Sequence, residues 1–229
     1  KQFHVSKNKM DEVWNSKHMQ IFRESMIDGK KLSNCQGCYK SEELGKTSTR
    51  QLMNAEWNDK LGSRGVRQRV IEALKNDYQL DDSKPVYLDL RLGNICNLKC
   101  RMCNPYNSKA IGSEHSELLE NDFHYRMVYL RAHGNTAEFM KTMTNWYETD
   151  FFWDQIIELI PHLKKVYLTG GEPTLIKQNY KFLEKIIEEG LNGKIELFFS
   201  INVTNVTEKF LNLISKFEKV QINCSIDAI

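Results

Sequence analysis

The chain has 229 residues, 41% hydrophobic and 27% charged, which is enough apolar material for a buried core in one or two domains. A formal charge of +2 gives no sign of a large phosphate-binding surface, so nucleic acid is not indicated as a partner. No apolar run approaches the roughly 20 residues that span a bilayer, and no signal-peptide pattern opens the sequence.

Residues 10–28 place Val13, Met19, Ile21, Phe22 and Met26 largely at helical spacing, which predicts one amphipathic helix stopped by Gly29. Cys35-Gln36-Gly37-Cys38 then reads as a tight turn with a glycine between two thiols. Residues 48–57 and 66–76 predict two further helices, the second through Val66, Val70, Ile71 and Leu74. The polar run from Asp81 to Pro85 marks a boundary between an N-terminal module, residues 1–82, and a main domain, residues 83–229.

Beyond Pro85 the texture changes. Residues 86–92 alternate with period two, a strand signal, and lead into a loop holding Cys96, Cys100 and Cys103. Residues 106–163 read as mostly helical, 165–169 as a second strand, 176–190 as a helix, 195–201 as a third strand, 207–217 as a helix and 220–226 as a fourth strand. Strands alternating with helices predict parallel βαβ units, wound as an open sheet or a barrel, with ligands at the C-terminal ends of the strands. The sequence starts at Lys1 and stops just after an apolar alternating run, so it reads as a piece lacking sequence at both ends.

Five of the six cysteines fall into two tight groups, Cys35/Cys38 and Cys96/Cys100/Cys103. Such spacing suits metal ligation better than disulfides, and a reducing, cytoplasmic compartment is expected. Three thiolates on one loop can bind three corners of an iron–sulfur cubane and leave one iron open. A structural zinc site or buried thiols are the alternatives on spacing alone. Zinc would want a fourth ligand nearby, and His115 follows 12 residues after Cys103. Cys224 and the six histidines suggest no ligand set, and the dense aromatics Trp146, Tyr147, Phe151, Phe152 and Trp153 read as core.

The Cys96-x3-Cys100-x2-Cys103 spacing resembles the signature of the radical S-adenosylmethionine (SAM) superfamily, and three further motifs follow in that family's order at successive strand ends. Gly170-Gly171-Glu172-Pro173 resembles its Gly-Gly-Glu motif. Thr204-Asn205 resembles a pair after the third strand, and Ser225-Ile226-Asp227 resembles the Ser-Ile-Asp of peptide-modifying members. The likeness covers residues 86–229; one departure is Met102, where an aromatic residue is usual.

The resemblance implies an α/β fold: a partial (βα)6 TIM-like barrel with four of six strands, after a small, mainly helical N-terminal module. It implies a 4Fe–4S cluster on Cys96, Cys100 and Cys103 that reductively cleaves SAM to a 5′-deoxyadenosyl radical. Met102 would offer its backbone to the adenine. Gly170 and Gly171 would let backbone approach the SAM amino group, with Glu172 as the nearby acid and Pro173 stiffening the turn. Ser225 and Asp227 would reach the SAM carboxylate or ribose, Asp227 alternatively capping a following helix. Thr204 and Asn205 would contact SAM or cap the helix over 207–217. Cys35 and Cys38, with Trp14-Asn15-Ser16, Arg23, Met26 and Gly29 before them, resemble the auxiliary-cluster segment of twitch or SPASM-type members, here ahead of the core. Two more ligands would then lie upstream of Lys1; a thioredoxin-like pair or half a zinc site are the alternatives. The substrate implied is a peptide or protein, and the electron donor a flavodoxin or ferredoxin. The competing classes are a zinc-stabilised binding module and a catalytically dead relative.

Overall fold

Ser16 decides how the first helices are cut. Its backbone is extended and its hydroxyl accepts from the Met19 N–H at 3.4 Å, so the helix expected over 10–28 is two, α1 (Met10–Trp14) and α2 (Lys17–Ile27). The computed structural model describes residues 3, 5, 7–133 and 146–226, with 131–133 as backbone only. The chain divides into two units, Lys1–Lys84 and Pro85–Ile229.

In the first unit, Asn15 uses its side chain on the Leu80 N–H (2.9 Å) and on Asp81 (2.9 Å). Arg23 donates to the carbonyls of Trp14 (2.6 Å) and Tyr78 (3.0 Å) and lies 4.6 Å over the Trp14 ring, whose Nε1 donates to Ser83 O. The Trp14-Asn15-Ser16 and Arg23 stretch thus clasps residues 78–83 of its own unit. Cys35 and Cys38 do not form the expected tight turn: a 3-10 turn (Ser33–Cys35) runs straight into α3 (Gln36–Glu43), with Gly37 helical. The two helices expected over 48–57 and 66–76 meet as two segments of α4 (Thr49–Lys75), broken at Gly62, whose φ 70° and ψ 156° are not helical. It opens on a capping box in which Ser48 and Gln51 satisfy each other's backbone N–H. Ala73 faces inward, whereas Val70 and Leu74 are exposed.

The second unit holds four parallel strands in chain order, β1 (Tyr87–Arg91), β2 (Lys165–Thr169), β3 (Glu196–Ile201) and β4 (Val220–Cys224). α5 (Lys109–Asn121), α6 (Phe123–His133) and α7 (Asp150–Leu159) lie between β1 and β2 in sequence; α8 (Lys177–Glu188) and α9 (Glu208–Ile214) make the next two crossovers. Among these strands the order never reverses, unlike a doubly wound sheet with its switch point. The register lines up Leu88, Val166 and Leu197 in one row and Leu90, Leu168 and Phe199 in the next, all buried. Helices cover this face, Phe210 of α9 meeting Phe199 edge to face at 5.4 Å. The opposite face carries Asp89, Arg91, Tyr167, Phe198 and Ser200. There Arg91 forks onto Asp89 (2.9 and 3.0 Å) and the Tyr167 hydroxyl lies 2.8 Å from that of Ser200.

Two smaller expectations change. Thr207, not Thr204 or Asn205, caps α9, its hydroxyl accepting from Phe210 N–H at 3.2 Å. Cys224, on β4, is exposed rather than buried. Tyr147 and Phe152 are core residues, as expected, whereas Phe151 is exposed. Among the described residues no helix is long and apolar enough to cross a membrane.

Candidate functional site

The chain leaves β1 through buried Leu92 and turns at Gly93, where φ is 67° and a Cβ would strike the Tyr147 ring. The loop that follows has little regular structure, yet its backbone is tied down. Lys109 N–H donates to Asn94 O (2.8 Å), Asn94 Nδ2 to Pro105 O (2.9 Å), and the fully buried Ser108 hydroxyl to Leu98 O (3.1 Å). Lys99 pairs with Glu114 on α5. Cys96, Cys100 and Cys103 ride on this loop as free, half-buried thiols. Burial first, and then the nearby Cys96 and Cys100 sulfurs, push the Cys103 thiol above its ordinary value, against a hydrogen bond from the Asn104 backbone that lowers it.

The Gly170-Gly171-Glu172 turn after β2 sits directly against this loop. Gly171 N–H donates to Gly93 O (3.3 Å) and Glu172 N–H to Ile95 O (2.7 Å). A Cβ on Gly171 would lie 2.7 Å from the Ile95 carbonyl carbon and closer still to its oxygen. The glycine is therefore needed for the cysteine loop to approach, a reason visible without any cofactor. Gly170 has φ 114°, open to glycine alone. Glu172 turns its carboxylate toward the chain itself. It is 1% exposed; Oε1 accepts from the Thr174 N–H and hydroxyl (3.2 and 2.7 Å) and Oε2 from Asn202 N–H (2.7 Å). Buried Pro173 opens the short 3-10 turn Pro173–Leu175.

Asn202, the first residue past β3, escaped the sequence reading. Its side chain donates to Asn97 Oδ1 (3.0 Å) and Cys96 Sγ (3.8 Å) and accepts from the Thr204 N–H (3.0 Å) and hydroxyl (2.7 Å). Thr204 Oγ1 also accepts from Asn97 Nδ2 at 2.7 Å. Asn205 points elsewhere, to the carbonyl and hydroxyl of Thr174, both at 3.4 Å. The signal available in sequence was only an asparagine ending a strand. The left-handed backbone of Val203 beside it, φ 62°, is not legible in a valine.

Ser225 N–H bonds Ile201 O at 2.8 Å, which places this exposed serine at the same sheet edge as Asn202. Met102 is 87% exposed on the cysteine loop. Asp227 lies outside the described residues. The C-terminal edge thus gathers the three cysteines, the Gly-Gly-Glu-Pro turn, Asn202 to Asn205 and Ser225, while Cys35 and Cys38 belong to the other unit.

The donor set suits an iron–sulfur cluster. Among the described residues no three His, Cys, Asp or Glu side chains gather as ligands of a single ion. A cubane takes each thiolate on a different iron, so its ligands stand farther apart, and the three thiols here share one braced loop.

A parallel sheet alternating with helices, with three thiols on the loop after its first strand, defines the α/β class. The family described as the Radical SAM superfamily matches residues 90–229, and the chain belongs to it. It is therefore an enzyme of a family that cleaves SAM with a 4Fe–4S cluster in radical chemistry. Neither a curated protein nor a solved structure matches the chain.

Proposed function

We propose that Cys96, Cys100 and Cys103 ligate the 4Fe–4S cluster and that the resulting radical abstracts hydrogen from a peptide or protein. The carrying observation is the seating of the cysteine loop on the Gly170-Gly171 turn. The chemistry the cluster supplies is one-electron reductive cleavage of the SAM C5′–S bond, giving methionine and a 5′-deoxyadenosyl radical. The chain's part is placement. Gly171 and Glu172 hold the Ile95 backbone next to Cys96, while Met102, Thr204, Asn205, Ser225 and Asp227 are the SAM-facing candidates at the same edge. Pro173 fixes the turn, and Glu172, whose side chain braces β2 to β3, is the acid beside the SAM amino group.

The four strands in unreversed parallel order support a partial (βα)6 TIM-like barrel. Residues 1–82 read as a twitch-like module. Cys35 and Cys38 stand three residues apart at the head of α3, on one helical face, which suits two ligands of an auxiliary cluster. The electron donor is a flavodoxin or ferredoxin and the compartment the cytoplasm.

Anaerobic reconstitution tests the core of this reading. Iron and acid-labile sulfide are expected on the wild type, with about four irons lost when the three cysteines become alanine. Zinc in place of iron would support a structural binding module. A loaded cluster that forms no 5′-deoxyadenosine would support a catalytically dead relative. For the auxiliary site, the readout is iron content of Cys35→Ala/Cys38→Ala in the complete protein; unchanged iron refutes it.

A further inference from the structure

Asn202, Thr204 and Asn97 close a ring of hydrogen bonds beside Cys96, and its direction is fixed. The Thr204 backbone N–H can only donate, so the Asn202 atom it meets at 3.0 Å is Oδ1. The other amide atom, Nδ2, must then face Asn97 Oδ1 and Cys96 Sγ. Asn97 follows in the same sense, its Nδ2 donating to the Thr204 hydroxyl, which donates onward to Asn202 Oδ1. The backbone side is held too, because buried Glu172 accepts from Asn202 N–H at 2.7 Å. Between Asn202 and Thr204, Val203 adopts φ 62°, a conformation costly for a β-branched side chain. That strain is what lets the Thr204 N–H fold back onto Oδ1.

We infer that Asn202 is a positioning residue for the cluster: its amide N–H donates to the Cys96 sulfur, anchors that ligand to the end of β3 and raises the reduction potential at that corner. The inference rests on Cys96 being a cluster ligand. Adding one electron to the oxidised cluster increases negative charge on its sulfurs, and a fixed donor stabilises the more negative, reduced form. Removing the donor therefore makes the cluster harder to reduce, whichever one-electron carrier feeds it.

The test is the midpoint potential, measured by spectroelectrochemical titration of the reconstituted protein with one-electron mediators. Asn202→Ala removes the donor and the ring. Asn202→Asp keeps the acceptor for Thr204 and the N–H for Glu172 but presents only oxygen to Cys96. Both potentials are expected below wild type, by about 2- to 10-fold in the reduction constant for one hydrogen bond, where tenfold is about 59 mV for one electron. Full iron loading with the wild-type potential in either variant overturns the inference. So does loss of iron in both, which would make Asn202 a purely structural support. A wild type that takes up no iron on its three cysteines would instead overturn the assignment of the cluster itself.

Discussion

A methyl group on Gly171 would have no room. An added Cβ stands 2.7 Å from the Ile95 carbonyl carbon and 2.9 Å from that of Asn94, all backbone. Ordinary contact starts at 3.4 Å and the Ile95 oxygen stands closer still, so the cysteine loop must retreat by more than about 0.7 Å (3.4 less 2.7) one residue before Cys96. The same movement stretches the 2.7 Å bond from Glu172 N–H to Ile95 O. Overpacking of this kind costs about 1–3 kcal/mol and a lost hydrogen bond about 0.5–1.5 kcal/mol. Stiffening the unfolded chain returns about 0.4–1 kcal/mol, leaving Gly171→Ala destabilised by about 2 kcal/mol. For a chain of this size that is about 4–8 °C in melting temperature. Calorimetry of the apo protein measures it, and iron content after reconstitution is expected to fall with it. Gly37→Ala is the contrast: nothing lies within 4 Å of its Cβ and its backbone is helical, so melting should hold or rise. A Gly171→Ala protein with wild-type melting and full iron would refute the seating of the loop on this glycine.

Glu172→Gln places an NH2 group against an N–H donor in a buried site, and should cost about 1–3 kcal/mol in urea unfolding; an unchanged midpoint would mean the carboxylate is not the brace it is drawn as. Val203→Gly relieves a left-handed valine that is 41% exposed, so little packing is lost and the variant should melt at or above wild type; a clear drop would argue against strain there. In the first unit, hydrogen bonds from Arg50 and then Ser48 hold the Glu42 carboxyl below its ordinary value. A depressed carboxyl contributes above the unfolded value and loses its contribution as pH falls through the folded one. Glu42→Gln should therefore flatten the acid side of that unit's stability profile, and an unchanged acid limb would exclude the contact as a contributor.

Strands were legible because alternation is a local signal: Val166 and Leu168 point one way, Lys165 and Tyr167 the other, and the register follows. The three-cysteine loop was legible because spacing alone encodes it. What misled was anything decided across the chain. The break at Ser16 is capped locally, but Asn15 before it is held by Leu80 and Asp81, some sixty-five residues away. That Gly171 also clears the Ile95 carbonyl was hidden, since the two are distant in sequence. Thr204-Asn205 drew attention as a pair, while Asn202 reaches the cysteine and Thr204 mainly orients it.

The bracing of the cysteine loop bears on what happens when air strips the metal. Small metal-folded domains collapse on chelation because the ion is what organises them. Here the carbonyls of Asn94, Ile95 and Leu98 are already engaged by Lys109, Glu172 and Ser108. The apo enzyme should thus keep its shape, which circular dichroism before and after chelation can register. It would then survive oxidation as a refillable shell, open to repair by cluster delivery rather than marked for degradation.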